Sequence, residues 1–120
     1  MLDISARRRG KAEKKLPPEG VYNSVVIDVR WAENYEPETA YEIEYRITAE
    51  DGTVYRHKEI FKTDLRNKRT AKFENYLAQN GINDLDDFKG QEEKLTFKHV
   101  SKDGNVFFNI DNREFVYGDT

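Results

Sequence analysis

Four apolar residues at strict every-other spacing, Tyr41, Ile43, Tyr45 and Ile47, alternate with Glu42, Glu44 and Arg46. A helix would scatter that pattern around its axis, whereas a strand sends alternate side chains to opposite faces. The segment is therefore read as a strand with one apolar and one charged face. Asp51-Gly52 follows, and both residues tolerate the positive φ of a tight primed turn. Thr53 to Thr63 then reads as the antiparallel partner.

Val21 to Ala32 reads as the first strand, with Val25, Ile27, Val29 and Trp31 inward and Ser24, Asp28 and Arg30 outward; Val26 is the exception. Glu33 to Thr39, containing Pro37, is the loop between the first two strands. After the third strand a helix is expected, because Phe73, Tyr76 and Leu77 recur at i, i+3 and i+4 and Asn67 or Thr70 can cap it. Asn80-Gly81-Ile82 reads as its left-handed end. Asp84 starts a short turn through Phe88, ended by Gly90. Lys94 to Val100 and Val106 to Phe115 are the last two strands, joined by Lys102-Asp103-Gly104-Asn105. Three strands, a helix and a two-stranded hairpin is the element order of the OB fold. The expected fold is thus mainly β, a five-stranded OB-like barrel with a helix between strands 3 and 4. A flat antiparallel sheet with one packed helix gives the same order.

At 120 residues the chain holds one domain, read over 19–120. Pro17-Pro18 separates it from a flexible basic arm, residues 1–18. Hydrophobic residues make up 37% of the chain and charged residues 36%, so the core is thin, but its Val, Ile, Phe and Tyr suit a sheet. The absence of cysteine excludes disulfides and thiolate zinc sites. No apolar run approaches the roughly 20 residues of a membrane helix, and the N-terminus lacks the apolar stretch of a signal peptide. No membrane partner is expected, and the location expected is the cytoplasm.

Charge is segregated. Residues 1–15 hold six cations against two acids and 56–72 hold seven against two, whereas 28–52 hold eight acids against two cations. Such blocks point to an oriented, charged partner. Enzymatic chemistry finds little support. His57 and His99 lie on different strands, Asp84, Asp86 and Asp87 lack the spacing of a calcium loop, and Gly10, Gly20 and Gly90 form no phosphate loop. The expectation is a non-catalytic protein without metal or cofactor. Single-strand recognition needs cations for phosphates and aromatic faces for unpaired bases. Arg56, Lys58 and Lys62 share one face of the third strand, and Arg66, Lys68, Arg69 and Lys72 continue the basic run. Trp31, Tyr55 and Phe107, with Tyr35 in the loop, are the candidate stacking platforms. Cations gathered at a helix N-terminus oppose its dipole, so their presence there calls for a reason.

Gly20-Val21-Tyr22 opening a strand, the Tyr41–Ile47 alternation before a hairpin, and a helix ending Tyr76-Leu77-Ala78-Gln79-Asn80-Gly81-Ile82 before Leu85 and Phe88-Lys89-Gly90 together resemble the small OB-fold single-stranded DNA-binding proteins of bacteriophages and bacterial mobile elements. The resemblance spans residues 19 to about 116. It implies an OB-like domain, often oligomeric, that coats single strands during replication or recombination in a bacterial host cell, and it assigns no functional residue. The chain departs from the family by lacking a long acidic C-terminal tail and by adding the basic arm. The partners expected are single-stranded DNA, further copies of the chain through an open edge strand, and a host or replication protein. A second reading is a protein-interaction module that binds a host protein through the acidic face formed by Glu33, Glu36, Glu38, Glu42 and Glu44.

Overall fold

The computed structural model describes residues 16–117, so most of the basic arm lies outside the described residues. Five strands, β1 (Gly20–Trp31), β2 (Ala40–Thr48), β3 (Val54–Lys62), β4 (Glu92–Lys102) and β5 (Asn105–Phe115), form one sheet in the order β3-β2-β1-β4-β5, every pair antiparallel. One helix, α1 (Lys68–Gln79), and a 3-10 turn (Leu85–Phe88) stand between β3 and β4. The mainly β class and the position of the helix match the expectation. The barrel does not: no backbone ladder joins β3 to β5, and the sheet stays open along that seam.

The sheet nevertheless curls until side chains of its two edge strands touch. The ring of His57 on β3 lies 5.8 Å from that of Phe108 on β5, and Arg113 on β5 reaches Glu59 on β3. These contacts ascend the two strands together, so β3 and β5 run parallel across the seam. Bulges supply the curvature, since an extra residue bends its strand and increases the local twist. One interrupts the β4–β5 register beside Thr96 and Phe97, and the other lies between Val26 and Asp28.

The second bulge also corrects the reading of β1. Tyr22, Ser24 and Val26 face the core before it, and Val29 packs against the core after it. An uninterrupted period of two therefore assigns Val25 and Ile27 to the wrong face. The Val26 backbone is satisfied at the bulge by Gln91 O and Gly90 N, at 3.0 and 2.8 Å. The β2–β3 turn differs too. Its N–H and C=O pairs close at Ala49 and Thr53, and only Gly52 has positive φ, at 88°. It is a longer turn ending in a left-handed glycine, with the Asp51 carboxylate accepting from Thr53 N. Asp103-Gly104 does take positive φ at both residues, as expected.

The concave face holds the core. Tyr41, Ile43, Tyr45 and Ile47 are all buried, as their alternation requires. Helix α1 closes one end by stacking Phe73 on Phe61, with ring centroids 4.2 Å apart, and by setting Tyr76 edge-on to Phe115. Asn67 caps its start, accepting from Thr70 N at 3.0 Å. Gly81 N and Ile82 N return to Ala78 O and Leu77 O, which satisfies its last carbonyls. No helix among the described residues is long and apolar enough to cross a membrane.

Candidate nucleic-acid interface

Side chains on β3 alternate, so Arg56, Lys58 and Lys62 do share its outer face, while Tyr55, His57, Glu59 and Phe61 turn inward. Cross-strand partners point to the same side of a sheet. Arg56 faces Arg46, and Lys58 faces Glu44, on the neighbouring strand β2. The basic face of β3 and the acidic face of β2 are consequently one surface. Glu44 Oε2 accepts from Arg56 at 3.0 Å, and Arg30 on β1 pairs with Glu42, Glu44 and Asp28 at 2.6, 3.1 and 2.8 Å. The Arg56 guanidinium, helped by Arg30, holds the Glu44 carboxyl below the usual carboxylate range. Lys58, Lys62 and Arg46 form no ion pair among the described residues.

The cations at the start of α1 divide by role. Arg69 is committed to the fold: it donates to Ile60 O at 2.7 Å and to Glu59 Oε2 at 3.1 Å, and its guanidinium lies 4.3 Å from the Phe61 ring centroid. That explains one positive charge at an unfavourable helix end. Arg66 pairs with Asp64 at 3.5 Å in full solvent. Lys68 and Lys72 are exposed, and Lys72 lines a cleft with Arg69, Tyr76 and Arg113.

The aromatic candidates also separate. Tyr55 turns inward and meets Tyr22 edge-on at 6.1 Å, so it belongs to the rim of the core. Trp31 is 52% exposed but stands beside Tyr41, Glu74, Asp84 and Asp86, on an acidic part of the surface. Tyr35 lies exposed in the β1–β2 loop. Phe107 is 46% exposed on the outer face of β5, directly opposite Val100. Lys98 and Lys102 are its diagonal neighbours on that face, within reach of a long side chain.

β1 begins opposite Phe97, so beyond that point β4 and β5 pair only with each other and extend as a two-stranded ribbon. A cleft of about 320 Å³ follows the seam, lined by His57, Lys58, Glu59, Ile60 and Arg69 on one side and by Asn109 and Ile110 on the other. Burial in this cleft lowers the His57 pKa, with Arg113 and Arg69 adding to the effect. Lys58 thus borders one wall of the seam and Asn109 the other; Arg56 stands two residues before Lys58, and Phe107 two before Asn109, each on the exposed face of its strand.

Sequence reasoning missed Arg113, Lys98 and Lys102. Arg113 lies in phase with Phe115, and a charged residue at an inward position was the available signal. Lys98 and Lys102 needed the hairpin register, which places them beside Phe107. In comparisons with protein-family models, curated proteins and solved structures, nothing matches this chain.

Proposed function

We propose that the chain is a non-catalytic single-stranded DNA-binding protein of phage or mobile-element replication or recombination. Its fold is then an OB-like barrel left open between β3 and β5, and the strand passes along that seam. The observation that carries this reading is the exposed Phe107 ring, with Lys98 and Lys102 as its diagonal neighbours, two residues along β5 from the Asn109 that lines the seam cleft with Lys58. A base can stack on the ring while cations on both walls meet phosphates, the two ingredients of sequence-tolerant single-strand binding. Lys62, Lys68 and Lys72 extend the cationic track, whereas Arg69 serves the fold and Tyr55 the core. Trp31 lies on another side of the molecule and drops out of the stacking set.

Fluorescence anisotropy of labelled oligo-dT at two salt concentrations, beside a matched duplex, tests the reading. The expected result is preference for the single strand with affinity that falls steeply as salt rises, because binding releases counterions. Absence of binding at low salt overturns it. The alternative, capture of a host protein by the acidic face, retains Glu33, Glu36 and Glu38, since Glu42 and Glu44 are tied to Arg30 and Arg56.

A further inference from the structure

A hollow of about 490 Å³ opens where β1 ends, bounded by Trp31, Tyr41, Glu74, Asp84 and Asp86 with Leu85 as an apolar wall. Its chemistry is that of a cation site. Glu74, Asp84 and Asp86 form no ion pair among the described residues, and Arg30 at the margin is committed to Asp28, Glu42 and Glu44. A half-exposed indole supplies a face on which a guanidinium can stack. Independently, Tyr41 is 4% exposed, and its hydroxyl has no hydrogen-bond partner among the described residues. Burial pushes that phenol's pKa up, and Glu74 close by pushes it further. A buried hydroxyl left unbonded is costly, so a donor reaching it from the hollow would relieve that cost.

We propose that the hollow receives an arginine from the N-terminal arm of a second copy of this chain. Arg7-Arg8-Arg9 offers three adjacent guanidinium groups, each able to stack on an indole while donating to carboxylates and a phenol oxygen. The sign of the arm, six cations against two acids over residues 1–15, complements the hollow. Reach favours a second copy as its source. β1 carries the chain from Gly20 to Trp31, roughly 36 Å at the usual rise. Pro17 lies farther off again, its carbonyl held 2.7 Å from His99 Nε2, beyond the Gly20–Phe97 pair. Fully extended, Arg9 lies at most roughly 25 Å from Leu16, and Arg7 roughly 32 Å. Only a fully taut arm with its side chain outstretched could approach its own hollow, whereas a neighbour's hollow demands no such extension. Each copy then gives an arm and receives one, a head-to-tail contact that continues along a row of copies.

Trp31 is the only tryptophan in the chain, so its emission reports the hollow directly. The test uses nuclease-treated full-length protein, without added nucleic acid, so its outcome is separate from that of the DNA-binding assay. Wild type, R7E/R8E/R9E and E74K/D86K are compared by sedimentation velocity and Trp31 emission over a dilution series. Asp84 is spared because it caps the 3-10 turn. The expected result is concentration-dependent association of wild type with a matching change in emission. Each variant alone should associate at least about tenfold more weakly, and mixing the two should restore association. Circular dichroism of each variant checks its fold. Wild type that stays monomeric at every concentration overturns the proposal, as does association indifferent to both variants. A change in Trp31 emission independent of concentration would return the arm to its own hollow and also overturn it.

Discussion

Arg113 on β5 donates to both carboxylate oxygens of Glu59 on β3, at 2.5 and 2.7 Å, across the boundary that has no backbone ladder. Tyr45 Oη completes the cluster, donating to Glu59 at 2.9 Å and accepting from Arg113 at 3.1 Å. Side chains thus do at this seam what main-chain hydrogen bonds do elsewhere in the sheet. Removing one partner strands the other charge in a poorly solvated site, which in comparable buried pairs costs about 3–5 kcal/mol. Arg113→Ala should lower the urea midpoint accordingly. The pair Glu59→Leu with Arg113→Met should recover most of the loss. If both variants are equally unstable, the ion pair is not what holds the seam.

Glu93 gives the fold a pH dependence of defined sign. It is 1% exposed, and burial raises its pKa to about 7, although Tyr76 Oη donates to Oε2 at 2.6 Å and Oε1 has no partner among the described residues. The folded state therefore binds the proton more tightly than the unfolded chain. This contribution is fully present below the ordinary glutamate pKa of about 4.3 and is lost as pH rises through about 7. Glu93→Gln should stabilise the protein at pH 8 by about 2 kcal/mol and flatten that part of the profile. Chemical denaturation at pH 5 and pH 8 checks both. His57 acts oppositely. Its lowered pKa means that stability present above the ordinary histidine value of about 6.5 is lost as pH falls through the folded value.

Glu44 restrains a cation that DNA binding would use. Glu44→Gln should release Arg56, tighten oligo-dT binding and steepen the dependence of log K on log salt. Lys58→Ala should weaken binding uniformly across sequences and reduce that slope by about 1. Phe107→Ala should cost about 1–3 kcal/mol of affinity while leaving the slope unchanged. Anisotropy titrations over a salt series separate the three effects.

The helix cap is testable without nucleic acid. Asn67→Ala removes the acceptor for Thr70 N, and the thermal midpoint should fall in line with a loss of about 1 kcal/mol.

Residues whose neighbours in sequence determine their environment were legible. The Tyr41–Ile47 alternation, the Asn67 cap and the Gly81 termination each rest on local geometry. The inward face of β1 was not legible, because its bulge answers to Gly90 and Gln91, some sixty residues away. Charge blocks misled for a related reason. Cations on β3 and acids on β2 are separate runs in the chain, but antiparallel pairing sets Lys58 opposite Glu44 and draws Arg56 onto the same carboxylate. Arg69 looked like free charge until the fold placed Glu59 and Phe61 beneath it.

The β4–β5 ribbon beyond Phe97 has no third strand beside it, and Lys98 to Phe107 are exposed. A two-stranded segment of this kind is marginally stable alone in water. Its amides should exchange with solvent orders of magnitude faster than those of Leu95 or Ile43, opening without the rest of the sheet. Any ligand that lies along Phe107 must then quench this motion, surrendering part of its contact energy as ordering entropy. Slowed deuterium uptake confined to the ribbon would be the signature of its arrival.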